Sequence, residues 1–209
     1  MTNGTIVVID HGMGNLGSVQ NMLRRLNAPS TRTTDRDEIA RADKLVLAGI
    51  GGFDGAMRRL EELDLVDVLN ERVLDGRVPV LGVCLGMQLM ARSSEEGRGG
   101  GLGWIEADVQ RFAFPPERRL PVPHMGWEEV TPSRPSPLFG ADDSTPRFYF
   151  SHAYHVVCDD PDDVAATANY GGSFTAAVHR GNVLGTQFHP EKSHVFGMEV
   201  YRRFLALAA

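Results

Sequence analysis

Residues 78–88 read VPVLGVCLGMQ, and this segment decides the type of fold that the chain forms. The apolar run 78–83 predicts a buried strand, and the run 85–92 predicts a helix directly after it. A strand that passes straight into a helix is typical of α/β proteins. The residue between the two elements is Cys84, so the same segment offers a nucleophile at the carboxyl end of a strand.

Two glycines, Gly82 and Gly86, flank Cys84. A nucleophile in a strand–turn–helix elbow has a strained backbone and needs such small neighbours. The positive end of the following helix favours a thiolate, and the backbone N–H of Leu85 is placed to stabilise an oxyanion. A cysteine at a strand end is also often a small core residue, and the elbow pattern alone leaves both interpretations open. Cys158, which has no neighbouring glycines, is interpreted as structural.

The rest of the first half alternates strands with helices. Short apolar runs at 5–10 and 44–48 predict strands, and each of them leads into a loop that contains glycine. Apolar residues at three- and four-residue spacing predict helices at 18–26, 54–60 and 65–74. This alternation predicts a parallel sheet with helices on its faces, and functional residues collect at the carboxyl ends of such strands.

The second half consists mainly of short predicted strands. They lie at 104–112, 147–150, 154–158, 173–179 and 183–187. A closing helix at 193–207 carries an apolar stripe of Phe196, Val200 and Phe204. Because the sequence shows no repeat and no linker, we expect a single α/β domain over 1–209. Its central sheet is expected to be mostly parallel or mixed and to be flanked by helices.

A cysteine that attacks an amide needs a histidine to protonate the leaving amine. Of the seven histidines, His189 stands out because it follows the predicted strand 183–187. Pro190 imposes an extended backbone on His189, so His189 and Glu191 project to the same side. Glu191 can then accept a hydrogen bond from the imidazole and fix its tautomer. An HPE string by itself also fits an exposed turn, but beside the cysteine elbow it predicts a Cys84–His189–Glu191 triad.

Composition narrows the class of protein further. The net charge is −6 and no basic cluster is present, which argues against nucleic-acid binding. The two cysteines form no CxxC pair, and no cluster has metal-ligand spacing, so we expect neither a metal nor a cofactor. The apolar runs are too short to span a bilayer, and the N-terminus has no signal-peptide pattern. We therefore expect a cytoplasmic protein without membrane contact.

Several motifs resemble the class I, or triad-type, glutamine amidotransferases. GVCLGMQ at 82–88 and GTQFHPEKS at 185–193 carry that resemblance. IDHGMGNL at 9–16, PHMGW at 123–127 and YFSHAY at 149–154 are similar to IDYGMGNL, PHMGW and YFVHSY of the glutaminase subunits of imidazole glycerol phosphate synthase. The motifs run in the family order and cover almost the whole chain. The resemblance implies the amidotransferase fold and the hydrolysis of glutamine to glutamate and ammonia.

The resemblance also implies roles for residues around the triad. The implied oxyanion site is formed by the backbone of Gly49, Ile50, Gly51 and Leu85. The implied substrate-binding residues are Gln88, Glu96, Ser151, His152, Ala153 and Tyr154. A carboxylate such as Glu96 suits a substrate ammonium group in any family, although within the string SSEE it also fits a solvated loop.

The chain departs from the family pattern at four positions. Ala48 stands for a proline before the oxyanion glycine, His11 for a tyrosine, Glu128 for an asparagine and Ala153 for a serine. Ala48 predicts a more flexible oxyanion loop, Glu128 an altered contact with a partner, and Ala153 the loss of a side-chain contact. None of the four belongs to the triad.

Released ammonia needs an acceptor, and the chain has neither a Walker-type loop nor room for a second catalytic domain. The resemblance implies a heterodimer with a cyclase subunit, a (β/α)₈ barrel. That subunit makes imidazole glycerol phosphate and an aminoimidazole carboxamide ribonucleotide in histidine biosynthesis. His124, Met125 and Trp127 are candidates for the docking face, although the Met125–Trp127 pair fits a core position equally well.

Three other functions stay open. The first is an amidotransferase of another pathway, such as the synthesis of anthranilate or aminodeoxychorismate or the modification of sugars. The second is a non-catalytic interaction domain, and the third is a cysteine peptidase of similar fold. GMGN and PHMGW count against the first, the intact triad against the second, and Gln88 with HPE against the third.

Overall fold

The computed structural model describes residues 4–140 and 146–208. Within these residues the strands, in chain order, are β1 (Ile6–Ile9), β2 (Ser30–Thr33), β3 (Lys44–Gly49), β4 (Val80–Cys84), β5 (Ser93–Ser94), β6 (Ala107–Arg111), β7 (His124–Glu129), β8 (Thr131–Pro132), β9 (Arg147–His152), β10 (Tyr154–Cys158), β11 (Val164–Asn169), β12 (Ser173–Arg180) and β13 (Val183–Thr186). The α-helices are α1 (Leu16–Arg25), α2 (Arg36–Ala40), α3 (Phe53–Glu62), α4 (Val66–Asn70), α5 (Leu85–Leu89) and α6 (His194–Leu205).

The central sheet has eight strands in the order β2-β1-β3-β4-β13-β12-β11-β8. The strands from β2 to β13 are parallel, and the remaining pairs are antiparallel. Every residue of β1, β3 and β4 is buried, as expected for parallel strands that are covered on both faces. The predicted fold class, an α/β fold with a mixed sheet and flanking helices, is confirmed.

Two apolar clusters lie on opposite faces of this sheet. One contains Leu16 of α1 and Val200 of α6, and the other contains Phe53 of α3 and Val68 of α4. The alternation of side chains along each strand divides the apolar residues between the two faces. Sheet and helices together hold the strand ends in fixed positions.

The centre of the sheet positions the predicted triad. Strands β4 and β13 are parallel neighbours, with Val83 opposite Thr186, and β3 brings Gly49 opposite Cys84. The carboxyl ends of the three strands therefore meet at one edge, and His189 follows β13 by three residues. In parallel α/β sheets this edge is where ligands bind.

Several elements differ from the sequence prediction. The helix predicted at 85–92 ends at Leu89, since the chain turns there and the Arg92 N–H donates to the Ala107 carbonyl oxygen. The helix predicted at 65–74 is α4 followed by a π-helical turn, Glu71–Asp75. The strand predicted at 104–112 is shortened to β6, which pairs antiparallel with β10.

Five strands were not predicted: β2, β5, β7, β8 and β11. Strand β2 is a polar, partly exposed edge strand, and β11 is rich in alanine, so neither shows the alternating β-branched pattern of a typical strand. Among the described helices, none has the length and apolarity needed to cross a membrane.

Candidate active site

The backbone at Cys84 has the strained geometry of a nucleophile elbow. Its φ is 53° and its ψ is −108°, a conformation that L-residues rarely adopt, at the junction of β4 and α5. A Cβ at Gly82 would lie 2.8 Å from the Gly86 carbonyl oxygen, and a Cβ at Gly86 would collide with the Leu47 carbonyl oxygen. Both flanking glycines are therefore required by close backbone packing.

His189 and Glu191 form a buried pair beside this elbow. His189 Nδ1 and Glu191 Oε1 are 2.7 Å apart, and both side chains are almost completely buried. Because a carboxylate only accepts, Nδ1 carries the hydrogen and donates it. Within residues 4–140 and 146–208, no hydrogen bond of normal geometry reaches the other ring nitrogen, Nε2.

The electrostatic surroundings favour the imidazolium form of His189. Burial alone lowers the pKa of His189, but the neighbouring side chains of Cys84 and Glu191 outweigh burial and raise this pKa to about 9. At neutral pH His189 therefore holds a proton that it can deliver to a leaving group. Burial instead raises the pKa of Cys158 to about 12, so that thiol stays protonated and unreactive.

A cavity of about 300 Å³ opens over Cys84 and His189. It is lined by Ile50, Gly51, Cys84, Leu85, Gln88, Glu96, Pro123, Ser151, His152, Ala153, Tyr154, His189 and Lys192. The fold therefore brings all the predicted substrate-binding residues to one cavity. Of the predicted oxyanion and triad residues, Gly49 and Glu191 lie outside the lining, and Pro123 and Lys192 line it without having been predicted.

Glu96 reaches from its exposed loop to the first residue of α3, next to the loop that follows β3. Its Oε2 accepts a hydrogen bond of 2.9 Å from the backbone N–H of Phe53, the first residue of α3. A carboxylate at a helix N-terminus is stabilised by the helix dipole. The contact holds the Glu96 carboxylate at the cavity wall, so this side chain is more ordered than the solvated-loop interpretation implies.

His11 packs against the end of β3, where the predicted oxyanion loop begins. Its Nε2 donates a 3.0 Å hydrogen bond to the carbonyl oxygen of Ala48, and the ring fills the space where a Cβ of Gly49 would lie. Burial lowers the pKa of His11, so the ring is neutral. Two of the departures from the family pattern, His11 and Ala48, are thus in direct contact with each other.

The side chains of β7 point alternately inward and outward. Met125 and Trp127 are 62% and 37% exposed, so the core interpretation of this pair is wrong. The Trp127 ring stacks on His194 at 5.5 Å. His124 is buried, and its Nε2 lies 3.6 Å from Glu128 Oε1. The exposed residues of this strand are Met125, Trp127 and Glu129, and the His124 side chain is not part of its surface.

Sequence reasoning missed Gln187, the last residue before the FHPE string. Its side chain is fully buried, and its Nε2 lies 3.7 Å from Cys84 Sγ. Gln88 Nε2 in turn donates to Gln187 Oε1 at 3.0 Å. The only available signal was the position of Gln187 between β13 and His189, which does not indicate the direction of the side chain.

Comparison with known proteins agrees with this geometry. The family model described as "Glutamine amidotransferase class-I" matches residues 7–207. A Pseudomonas aeruginosa protein named imidazole glycerol phosphate synthase subunit HisH 2 is 50% identical over 202 residues, which are 97% of this chain and 99% of that protein. A Methanococcus maripaludis protein of the same name is 44% identical over 203 residues, covering 97% of this chain and all of that protein.

Solved structures share the fold. A crystal structure of a glutamine amidotransferase superposes with a TM-score of 0.76 at 21% identity and covers 97% of both chains. A glutamine amidotransferase from Thermotoga maritima superposes with a TM-score of 0.69 at 16% identity, covering 99% of this chain and 100% of that one. The family model and the two relatives show that the chain belongs to the class I glutamine amidotransferases and, among them, to the HisH subunits of imidazole glycerol phosphate synthase.

Proposed function

We propose that Cys84, His189 and Glu191 act as a triad that hydrolyses glutamine to glutamate and ammonia. The observation that carries the proposal is the strained Cys84 elbow, which lines the same cavity as His189. On the other side of the His189 ring, Glu191 accepts a hydrogen bond from Nδ1. A nucleophile, a base and a group that orients the base are the three parts that acyl transfer from an amide requires.

The reaction begins with the thiolate of Cys84, whose proton is held by His189. The sulfur attacks the carboxamide carbon of glutamine, and backbone N–H groups near Ile50 and Leu85 stabilise the oxyanion. His189 protonates the departing nitrogen, which leaves as ammonia while the γ-glutamyl thioester forms. His189 then takes a proton from water, and the hydroxide attacks the thioester. Glutamate is released and the Cys84 thiolate is restored.

The cavity offers complementary groups for the amino-acid end of glutamine. The Glu96 carboxylate lines the wall, and its charge suits the α-ammonium group. The amide nitrogen of Gln88 already donates to the Tyr154 carbonyl oxygen and to Gln187. Only the amide oxygen of Gln88 is therefore available, and an oxygen acceptor also suits an ammonium group.

The ammonia is proposed to pass to a partner. The relatives from Pseudomonas and Methanococcus are named as subunits of imidazole glycerol phosphate synthase, which supports a role in the same synthase. We infer that the partner is a cyclase subunit with a (β/α)₈ barrel, as the motif resemblance implies, and that the synthase works in histidine biosynthesis. Met125 and Trp127, two exposed apolar side chains on one strand, support β7 as part of the docking face.

The test measures glutamate release from glutamine by the purified chain, alone and with the cyclase subunit and its nucleotide ligand. Cys84→Ala is the inactive variant, and Cys158→Ser is the matched control because Cys158 lies outside the cavity. We expect the loaded partner to increase release, Cys84→Ala to abolish it and Cys158→Ser to retain it. Release that persists in Cys84→Ala would refute the triad. Glutamate release that depends on Cys84 but does not change when the loaded cyclase subunit is added would refute only the proposed role in histidine biosynthesis.

A further inference from the structure

The side chain of Gln187 touches the nucleophile, and the triad mechanism gives it no role. It is fully buried, and its amide nitrogen lies 3.7 Å from Cys84 Sγ. An N–H group at this distance donates a hydrogen bond to sulfur. A second contact, 4.0 Å from Sγ to the Ser151 carbonyl oxygen, suits only the protonated thiol, because a carbonyl cannot donate.

The orientation of the Gln187 amide is fixed by a chain of hydrogen bonds that begins at the backbone. The Tyr154 carbonyl oxygen can only accept, so the group of Gln88 that lies 3.0 Å from it is the amide nitrogen. The same nitrogen lies 3.0 Å from the Gln187 side chain, which must present its oxygen in return. The nitrogen of Gln187 is therefore the atom that faces Cys84.

We propose that Gln187 is a further catalytic residue, which donates its amide N–H to the sulfur of Cys84 and stabilises the thiolate, and that Gln88 is the positioning residue that sets this orientation. A hydrogen bond to the charged form of a group favours that form. The hydrogen bond from Gln187 is stronger to the charged thiolate than to the neutral thiol. It therefore favours transfer of the thiol proton to His189. This role deepens the proposed glutaminase mechanism and rests on it.

The test follows alkylation of Cys84 by iodoacetamide in the full chain. In this reaction the sulfur displaces iodide from carbon, so the rate reports the thiolate and needs neither glutamine nor an oxyanion site. The background is Cys158→Ser, which leaves one thiol. Two variants are compared with it: Gln187→Met keeps the shape but has no N–H, and Gln88→Glu leaves Gln187 in place.

We expect both variants to slow alkylation at pH 7 about tenfold, the usual effect of losing a hydrogen bond to a charged group. An ionised glutamate at position 88 can only accept, so it turns the Gln187 amide and presents the oxygen of Gln187 to the sulfur. The added charge also disfavours the thiolate, so the decisive result in this variant is an unchanged rate. That result would overturn the proposal even if Gln187→Met fails to fold. Alkylation rates within twofold of the background in the folded variants would overturn the proposal.

Glutamate release, measured on the same proteins, separates this inference from the proposed function. If the background chain releases no glutamate under any condition, the glutaminase proposal fails whatever the alkylation rates are. If it releases glutamate and the two variants are alkylated at the background rate, only the role of Gln187 fails. We expect the turnover number of Gln187→Met to fall by the same factor as its alkylation rate.

Discussion

Replacing Glu191 by glutamine tests how the buried acid controls His189. The change preserves the size of the side chain and its ability to accept from Nδ1, but it removes a negative charge 2.7 Å from the ring. Because both side chains are almost completely buried, water screens this charge very little. Glu199 offers the matched control, since it is an α6 carboxylate with arginine partners outside the cavity.

The size of the effect follows from the pKa of His189. That pKa is about 9, compared with an ordinary value of 6.5, and the difference corresponds to about 3 kcal/mol. Cys84 and Glu191 together supply this stabilisation and also offset the burial penalty, so removing one of them withdraws at least half of it, about 1.5 kcal/mol or more. We expect the pKa of His189 in Glu191→Gln to fall by at least about one unit. We also expect kcat to drop at least tenfold, because the glutamine amide can donate as well as accept and so no longer fixes the tautomer.

The assay is glutamate release over a pH series, with the cyclase subunit and its nucleotide ligand present. In the parent chain, activity falls as pH rises through about 9, where His189 loses its proton. In Glu191→Gln the fall should begin at least about one unit lower, and Glu199→Gln should follow the parent. The same raised pKa contributes folding stability that is complete below pH 6.5 and is lost as pH rises through 9. An unchanged alkaline limb together with kcat within twofold of the parent would refute the reasoning.

Three further substitutions have defined outcomes. Gly86→Ala should destabilise the fold by about 3 kcal/mol in urea denaturation, because the added Cβ collides with the backbone of β3. The control is Gly172→Ala, where a Cβ has no neighbouring atom within 4 Å, and it should change stability by less than about 0.5 kcal/mol. Glu96→Gln should raise KM for glutamine about tenfold by removing a charge from the cavity wall, and Glu95→Gln, outside the lining, should leave KM unchanged. His11→Leu should cost about 1–3 kcal/mol in the same denaturation assay, because a buried carbonyl oxygen loses its donor, and no loss of stability would contradict this.

Local patterns were sufficient to predict the nucleophile elbow. Gly82, Cys84 and Gly86 lie within five consecutive residues, and backbone crowding at that turn acts over the same short distance. The strand before the elbow was predicted for the same reason, since a fully buried parallel strand is a continuous apolar run. Signals of this kind need no knowledge of the rest of the chain.

Apart from the proximity of Cys84 and His189, long-range contacts were beyond the sequence. Gln187 and Cys84 are 103 positions apart, and no periodicity indicates that β4 and β13 are neighbours in the sheet. The exposure of Met125 and Trp127 was equally undecided, because an apolar pair on a strand fits either face until the covering elements are known. Strand β2 escaped detection because its polar residues pair with β1 at the sheet edge and show no apolar pattern.

The position of β13 in the sheet also bears on synthesis of the protein. Ribosomes make β4 long before β13, yet the proposed base, His189, follows β13 and the proposed nucleophile, Cys84, ends β4. A nascent chain in which only β4 has left the ribosome carries Cys84 without His189, and under the proposed mechanism it cannot hydrolyse glutamine. Pairing of strands so distant in sequence is also slow, because a large loop must close first. The proposed triad therefore predicts that glutamine consumption begins only in molecules whose translation and sheet assembly are complete.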